Sequence, residues 1–189
     1  MKHLLTILAL SLLTLPSCKK KAETPQGEES LSTINHDVKW KTFTSPEGGY
    51  SVGYQREHTK NVKKMKTPTG SEVEVNIHYF NVHNDVFVVH WYDRDKKSQN
   101  DREELKARMI STAKRMSGNL SGFKELTVKG SPALRAILLT PPNRQSPGGT
   151  KLILMVLTPK RFYLVLANLK SGSVNRKNGE KFLESFTLL

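Results

Sequence analysis

Residues 71–80 read SEVEVNIHYF, in which Val73, Val75, Ile77 and Tyr79 alternate with Glu72, Glu74, Asn76 and His78. Successive side chains of a strand point to opposite faces, so this period of two predicts a strand buried on one side only. The segment NVHND (81–85) turns the chain into VFVVHWYD (86–93), a second strong strand. Upstream, VKWKTF (38–43) and YSVGY (50–54) are short aromatic and β-branched runs joined by TSPEGG (44–49). Pro46 fixes its own φ there and Gly48 and Gly49 supply permissive geometry, which predicts a hairpin.

The period changes in DREELKARMISTAKRMS (101–117). Leu105, Met109, Ala113 and Met116 fall on one helical face, with Glu104, Arg108 and Arg115 on the other and Glu104 spaced to pair with Arg108. Asn100 is placed to cap the first turn, with Glu103 three residues on, and Gly118 suits the exit. Four more apolar runs follow: FKELTV (123–128), PALRAILLT (132–140), TKLILMVLT (150–158) and RFYLVLANL (161–169). Their short or glycine-rich connections predict consecutive antiparallel pairing. At the carboxyl end Phe182, Leu183 and Phe186 have helical spacing. The expected class is therefore α+β: a layered sandwich, its central antiparallel β-sheet carrying helices packed on its faces.

The amino-terminal segment differs in kind. Lys2 and His3 precede the apolar run LLTILALSLLTL (4–15), and the chain's single cysteine follows in LTLPSCKKK (13–21). About a dozen apolar residues fall short of the ~20 that span a bilayer, so residues 1–17 read as a signal peptide. Leu15, Pro16, Ser17 and Cys18 resemble a bacterial lipobox. That resemblance implies a diacylglyceryl group on Cys18, cleavage before it, and an anchored mature protein; two or more acyl chains hold firmly where one holds marginally. Lys19 after the cysteine, by resemblance to enterobacterial lipoproteins, favours the periplasmic face of the outer membrane over the inner membrane. Lys19, Lys20 and Lys21 would then contact the membrane surface. Residues 18–38 are expected to form a tether, since AETPQGEESLSTINHD (22–37) is too polar to bury a core. One folded domain is expected over 39–189.

FTSPEGGYSVGY (43–54), the strand pair, the single amphipathic helix, SPGG (146–149) before an apolar strand, RFYLVL (161–166) and EKFLESFTL (180–188) together resemble bacterial members of the PsbP-like group. This group takes its name from an extrinsic subunit of photosystem II and shares its fold with a factor that releases nucleotide from the GTPase Ran. The resemblance implies an antiparallel sheet with helices on both faces and an accessory or binding role. It carries over no catalytic residue; Phe43, Tyr50, Phe182 and Phe186 match as core positions.

Motifs for chemistry are missing from the sequence: no G-x-S-x-G elbow, Walker loop or G-x-G-x-x-G follows a strand. No cofactor or metal is expected. His78, His83 and His90 come nearest to a ligand cluster, the first and last being able to meet across a hairpin, but their gaps of five and seven suit satisfied strand and turn histidines better. Asp93 and Asp95 read as a strand exit paired locally with Arg94 and Lys96. The formal charge of +13 points to an anionic partner. Lys60, Lys63, Lys64 and Lys66 before the long strand, with Arg108 and Arg115 on the helix, are the candidate contacts. Export argues against nucleic acid. The expectation is a lipid-anchored, non-catalytic envelope module holding a protein or anionic polymer; the alternative is an envelope hydrolase acting on cell-wall or lipid material.

Overall fold

A computed structural model describes residues 39–66, 70–82, 85–94, 100–142, 148–170 and 175–189. The expected leader, Cys18 with Lys19, Lys20 and Lys21, the tether up to residue 38, His83 and Asp95 all lie outside these residues. The chain divides at His36, and the unit Asp37–Leu189 contains every element below.

The predicted hairpin forms between β1 (Lys41–Ser45) and β2 (Tyr50–Tyr54). Its turn closes through Gly49 N–H donating to the Ser45 carbonyl at 2.8 Å, with Gly49 at φ +66°. The larger sheet contains β3 (His58–Lys66), β4 (Glu72–Val82), β5 (Asp85–Asp93), β6 (Asn119–Val128), β7 (Ser131–Thr140), β8 (Gly149–Leu157) and β9 (Arg161–Lys170). All pairs are antiparallel, in the order β3-β4-β5-β9-β8-β7-β6. Consecutive pairing from β6 to β9 is as expected. The pairing of β5 with β9 then joins the two hairpin runs into one sheet and places its two most buried strands, β8 and β9, near the middle.

Alternation along β8 assigns the two faces. Leu152, Leu154 and Val156 pack with Phe182 and Leu183 of α2 (Arg176–Ser185). Ile153, Met155 and Leu157 pack with Leu105, Met109 and Ala113 of α1 (Asp101–Arg115). The helices therefore lie on opposite faces, over a structure dominated by its sheet. Complete burial of a side chain such as Phe182 contributes ~1.5–3 kcal/mol. The first turn of α1 is capped as expected: the Asn100 side-chain oxygen accepts from the Arg102 and Glu103 amides at 3.2 and 3.3 Å.

At the exit of α1 the left-handed residue is Ser117, at φ +50°, and not Gly118. Bonds from Ser117 N to Lys114 O and from Gly118 N to Ala113 O complete a Schellman motif around it. Gly118 has a different requirement, because a Cβ there would stand 2.6 Å from Leu138 Cδ1. The carboxyl-terminal helix ends one residue earlier than its apolar spacing suggests. Phe186 is extended, and Thr187–Leu188 form β10, which pairs antiparallel with β2 to complete a three-stranded sheet.

Candidate functional site

The histidines do not converge. Register pairs Ile77 with His90 and His78 with Val89, so His78 shares a face with Phe80 while His90 shares one with Val75 and Val88. The expectation that they could meet across the hairpin is thereby corrected: they are one residue out of phase, and a strand sends neighbouring residues to opposite sides. Among the described residues no three His, Cys, Asp or Glu side chains cluster as a metal-ligand set.

His78 is buried, and its Nδ1 and the Tyr50 hydroxyl share a hydrogen bond of 2.5 Å while its Nε2 lies 3.9 Å from the Glu47 carboxylate. Burial lowers the His78 pKa and raises that of Tyr50. The arrangement has the order of a proton relay, but Tyr50 is fully buried and its ring is packed by Phe43, Tyr163 and Phe186. No substrate reaches the hydroxyl, so the relay is a core bonding network.

The acidic residues are likewise occupied. Asp93 pairs with Arg161 at 2.7 Å, and Arg94 turns instead to Asp101 and Glu104 of α1, at 3.3 and 2.7 Å, and to the Thr158 carbonyl at 2.8 Å. The expected local pairing of Asp93 with Arg94 is thus replaced by two pairings across the fold. Glu104 also binds Arg108 at 2.5 Å, as its i,i+4 spacing predicted.

The six candidate basic residues separate by face. β3 is exposed along its whole length, and its register sets Lys60 opposite His78 and Lys64 opposite Glu74, on the α2 face. Both are paired, Lys60 with Glu47 at 3.3 Å and Lys64 with Glu72 at 3.6 Å. Lys63 lies opposite Val75 on the other face. There a cleft of about 230 Å³ runs between α1 and strands β3, β4, β5 and β9. Arg108 and Arg115 line it from α1, and Lys66 reaches it from the end of β3, although its register opposite Glu72 sets it on the α2 face with Lys60 and Lys64.

The cleft has two chemical zones. Val75, Phe162 and Leu164, all buried, form an apolar floor with Val73. Lys66 and Arg115 are exposed at its edge, and among the described residues neither makes an ion pair. Arg108 is held between Glu104, the Tyr92 hydroxyl and the ring of Phe162, whose centroid is 4.8 Å from the guanidinium carbon. Its side chain is only 15% exposed, which corrects its expected place on a solvent face of the helix. Arg108 and Arg115 are seven residues apart, two helical turns, and so point the same way.

His90 sits among these cations, and its pKa falls from 6.5 to about 4 through burial first, then the charges of Lys63 and Arg115. It is a neutral imidazole at neutral pH. Sequence reasoning found the cations but not the apolar floor or His90's place in it, because both depend on the α1–sheet crossing. Among the described residues no helix is long and apolar enough to cross a membrane. Comparison of the chain with protein-family models and with curated proteins finds no match.

Proposed function

We propose that this chain is a lipid-anchored, non-catalytic binding module of a bacterial envelope. It is tethered through acylated Cys18 and holds an anionic partner, a protein or an envelope polymer, at the α1 cleft of a PsbP-like domain. The carrying observation is the meeting of Lys66, Arg108 and Arg115 in one cleft, with Lys63 on the same face and no acid among its lining residues. Such a focus of one sign of charge over an apolar floor attracts anions and raises their local concentration. The sheet with helices on both faces supports the PsbP-like reading at the level of fold, the lipobox supports anchoring through Cys18, and Lys19 after it supports the outer membrane's periplasmic face over the inner membrane. The hydrolase reading has less support: Asp93, Asp101 and Glu104 engage arginines, and Tyr50 and His78 of the Tyr–His–Glu arrangement are buried in the core.

Two experiments test this. Palmitate labelling of the full chain should be abolished by Cys18→Ala, with release from membranes; unchanged labelling and membrane retention refute the anchor. A photo-crosslinking side chain at Ser111, which lines the cleft, should capture an envelope component in cells that the same group at Lys114, outside the cleft, does not. Identical products from both positions refute the cleft as the binding site.

A further inference from the structure

We infer that the α1 cleft takes an amphipathic anion: a carboxylate or phosphate head carried on a short apolar chain. This rests on the reading of the cleft as the anion-binding site and specifies the chemistry it accepts.

Three observations select that class. The first is the segregation of the lining. The floor is buried hydrocarbon and an aromatic ring, whereas the cations Lys66 and Arg115 stand at the solvent edge without carboxylate partners among the described residues. A simple inorganic anion would leave the floor unused, and a neutral hydrocarbon would leave the cations uncompensated. The second is size. A cavity of roughly 150 Å³ lined by aliphatic side chains accepts benzene, and pockets enclosing whole drug-sized ligands run ~300–1,000 Å³. At about 230 Å³ this cleft holds one chain segment of a ligand whose head remains at the edge.

The third is the disposition of the half-buried polar groups. The Arg108 guanidinium is fixed by Glu104 and by its contact with Phe162, so it is preorganised at the junction of the two zones. His90 occupies the same junction as a neutral imidazole, near Lys63 and Arg115. A bound anion would offset the repulsion from those two cations and favour the imidazolium, which gives the site its own reporter. The groups facing His90 are Lys63 from β3, Tyr92 from its own strand, and Arg108 and Arg115 from α1.

The unit Asp37–Leu189 holds both cores and every helix and strand among the described residues, and is suitable for the measurement. Octanoate and octyl phosphate are the probes, with inorganic phosphate and octanol as controls, and the His90 ring resonances are followed by NMR. Both octyl anions should shift these resonances saturably and raise the His90 titration midpoint, and the tighter of the two identifies the preferred head. From hexanoate to octanoate affinity should rise by about fourfold per methylene. The double variant Lys66→Gln/Arg115→Gln should weaken octanoate about tenfold; Lys114→Gln, an exposed charge outside the cleft, should not. If inorganic phosphate binds as tightly as octanoate, the amphipathic claim fails while the anion-binding reading stands. If octanol matches octanoate, the head-group claim fails. If no anion perturbs His90, this inference and the cleft's assignment as an anion site fail together.

Discussion

Acidification should expose the strain of keeping His90 neutral. In the folded protein its pKa is about 4 against the ordinary 6.5, because burial disfavours the imidazolium and Lys63 and Arg115 repel it. Between these two values the unfolded chain binds a proton that the folded chain does not, so stability rises with pH. The contribution is fully present above pH 6.5, is lost as pH falls towards 4, and is constant below. Its size follows from the interval between the two values and is about 3 kcal/mol. Urea unfolding of Asp37–Leu189 and of its His90→Gln variant, each at pH 7.5, 5.5 and 4.0, isolates it. His78, also lowered by burial, is present in both proteins and cancels in the comparison. From pH 7.5 to 4.0 the wild type should lose about 3 kcal/mol more than the variant, with an unchanged urea dependence. Parallel losses would refute the account of His90 as a half-buried neutral group among cations.

Tyr50→Phe removes the hydroxyl bonded to His78 Nδ1 while conserving the ring packing; the orphaned nitrogen should cost ~1–3 kcal/mol, read by the same unfolding assay. Arg94→Met strips a 2%-exposed guanidinium from Asp101, Glu104 and the Thr158 carbonyl. Because those carboxylates keep about a fifth of their side-chain exposure, the loss should be ~2–3 kcal/mol, below that of a fully buried pair. Gly118→Ala, whose new methyl would meet Leu138 and the Leu139 carbonyl, should destabilise by ~1–3 kcal/mol. Ser117→Gly should instead stabilise by up to ~1 kcal/mol, since the left-handed conformation costs a glycine nothing. Thermal denaturation distinguishes the last pair by sign alone.

Much of the fold was legible because most of its strands bury at least one face. The alternation of 71–80, the turn within 44–49, the apolar runs of β7, β8 and β9 and the Asn100 cap appear as read, whereas the strand read at 123–128 begins four residues earlier, at Asn119. β3 was not, and its residues HTKNVKKMK show why. An exposed edge strand buries nothing, so its apolar residues need no period of two, and lysines there serve to discourage pairing with other chains. The histidine geometry was lost in the turn: NVHND suggested a five-residue connection, whereas Val82 already pairs with Asp85. A one-residue error in a hairpin inverts the face of every side chain beyond it. For the cleft, the seven-residue spacing of Arg108 and Arg115 was a usable signal. The floor beneath them comes from β4 and β9, which are separated by nearly ninety residues and joined only by the non-consecutive β5–β9 pairing.

The last strand, β10, has a temporal consequence. Leu188 lies opposite Tyr50, and the amide of Leu189 donates to the Gly49 carbonyl at 3.0 Å. The first hairpin of the domain is thus fastened by residues that follow every other described strand and helix in the chain. Whether the polypeptide emerges from a ribosome or threads a pore, this corner stays open until residues 187–189 have passed, and nascent chains halted before Thr187 should remain susceptible to protease around Tyr50.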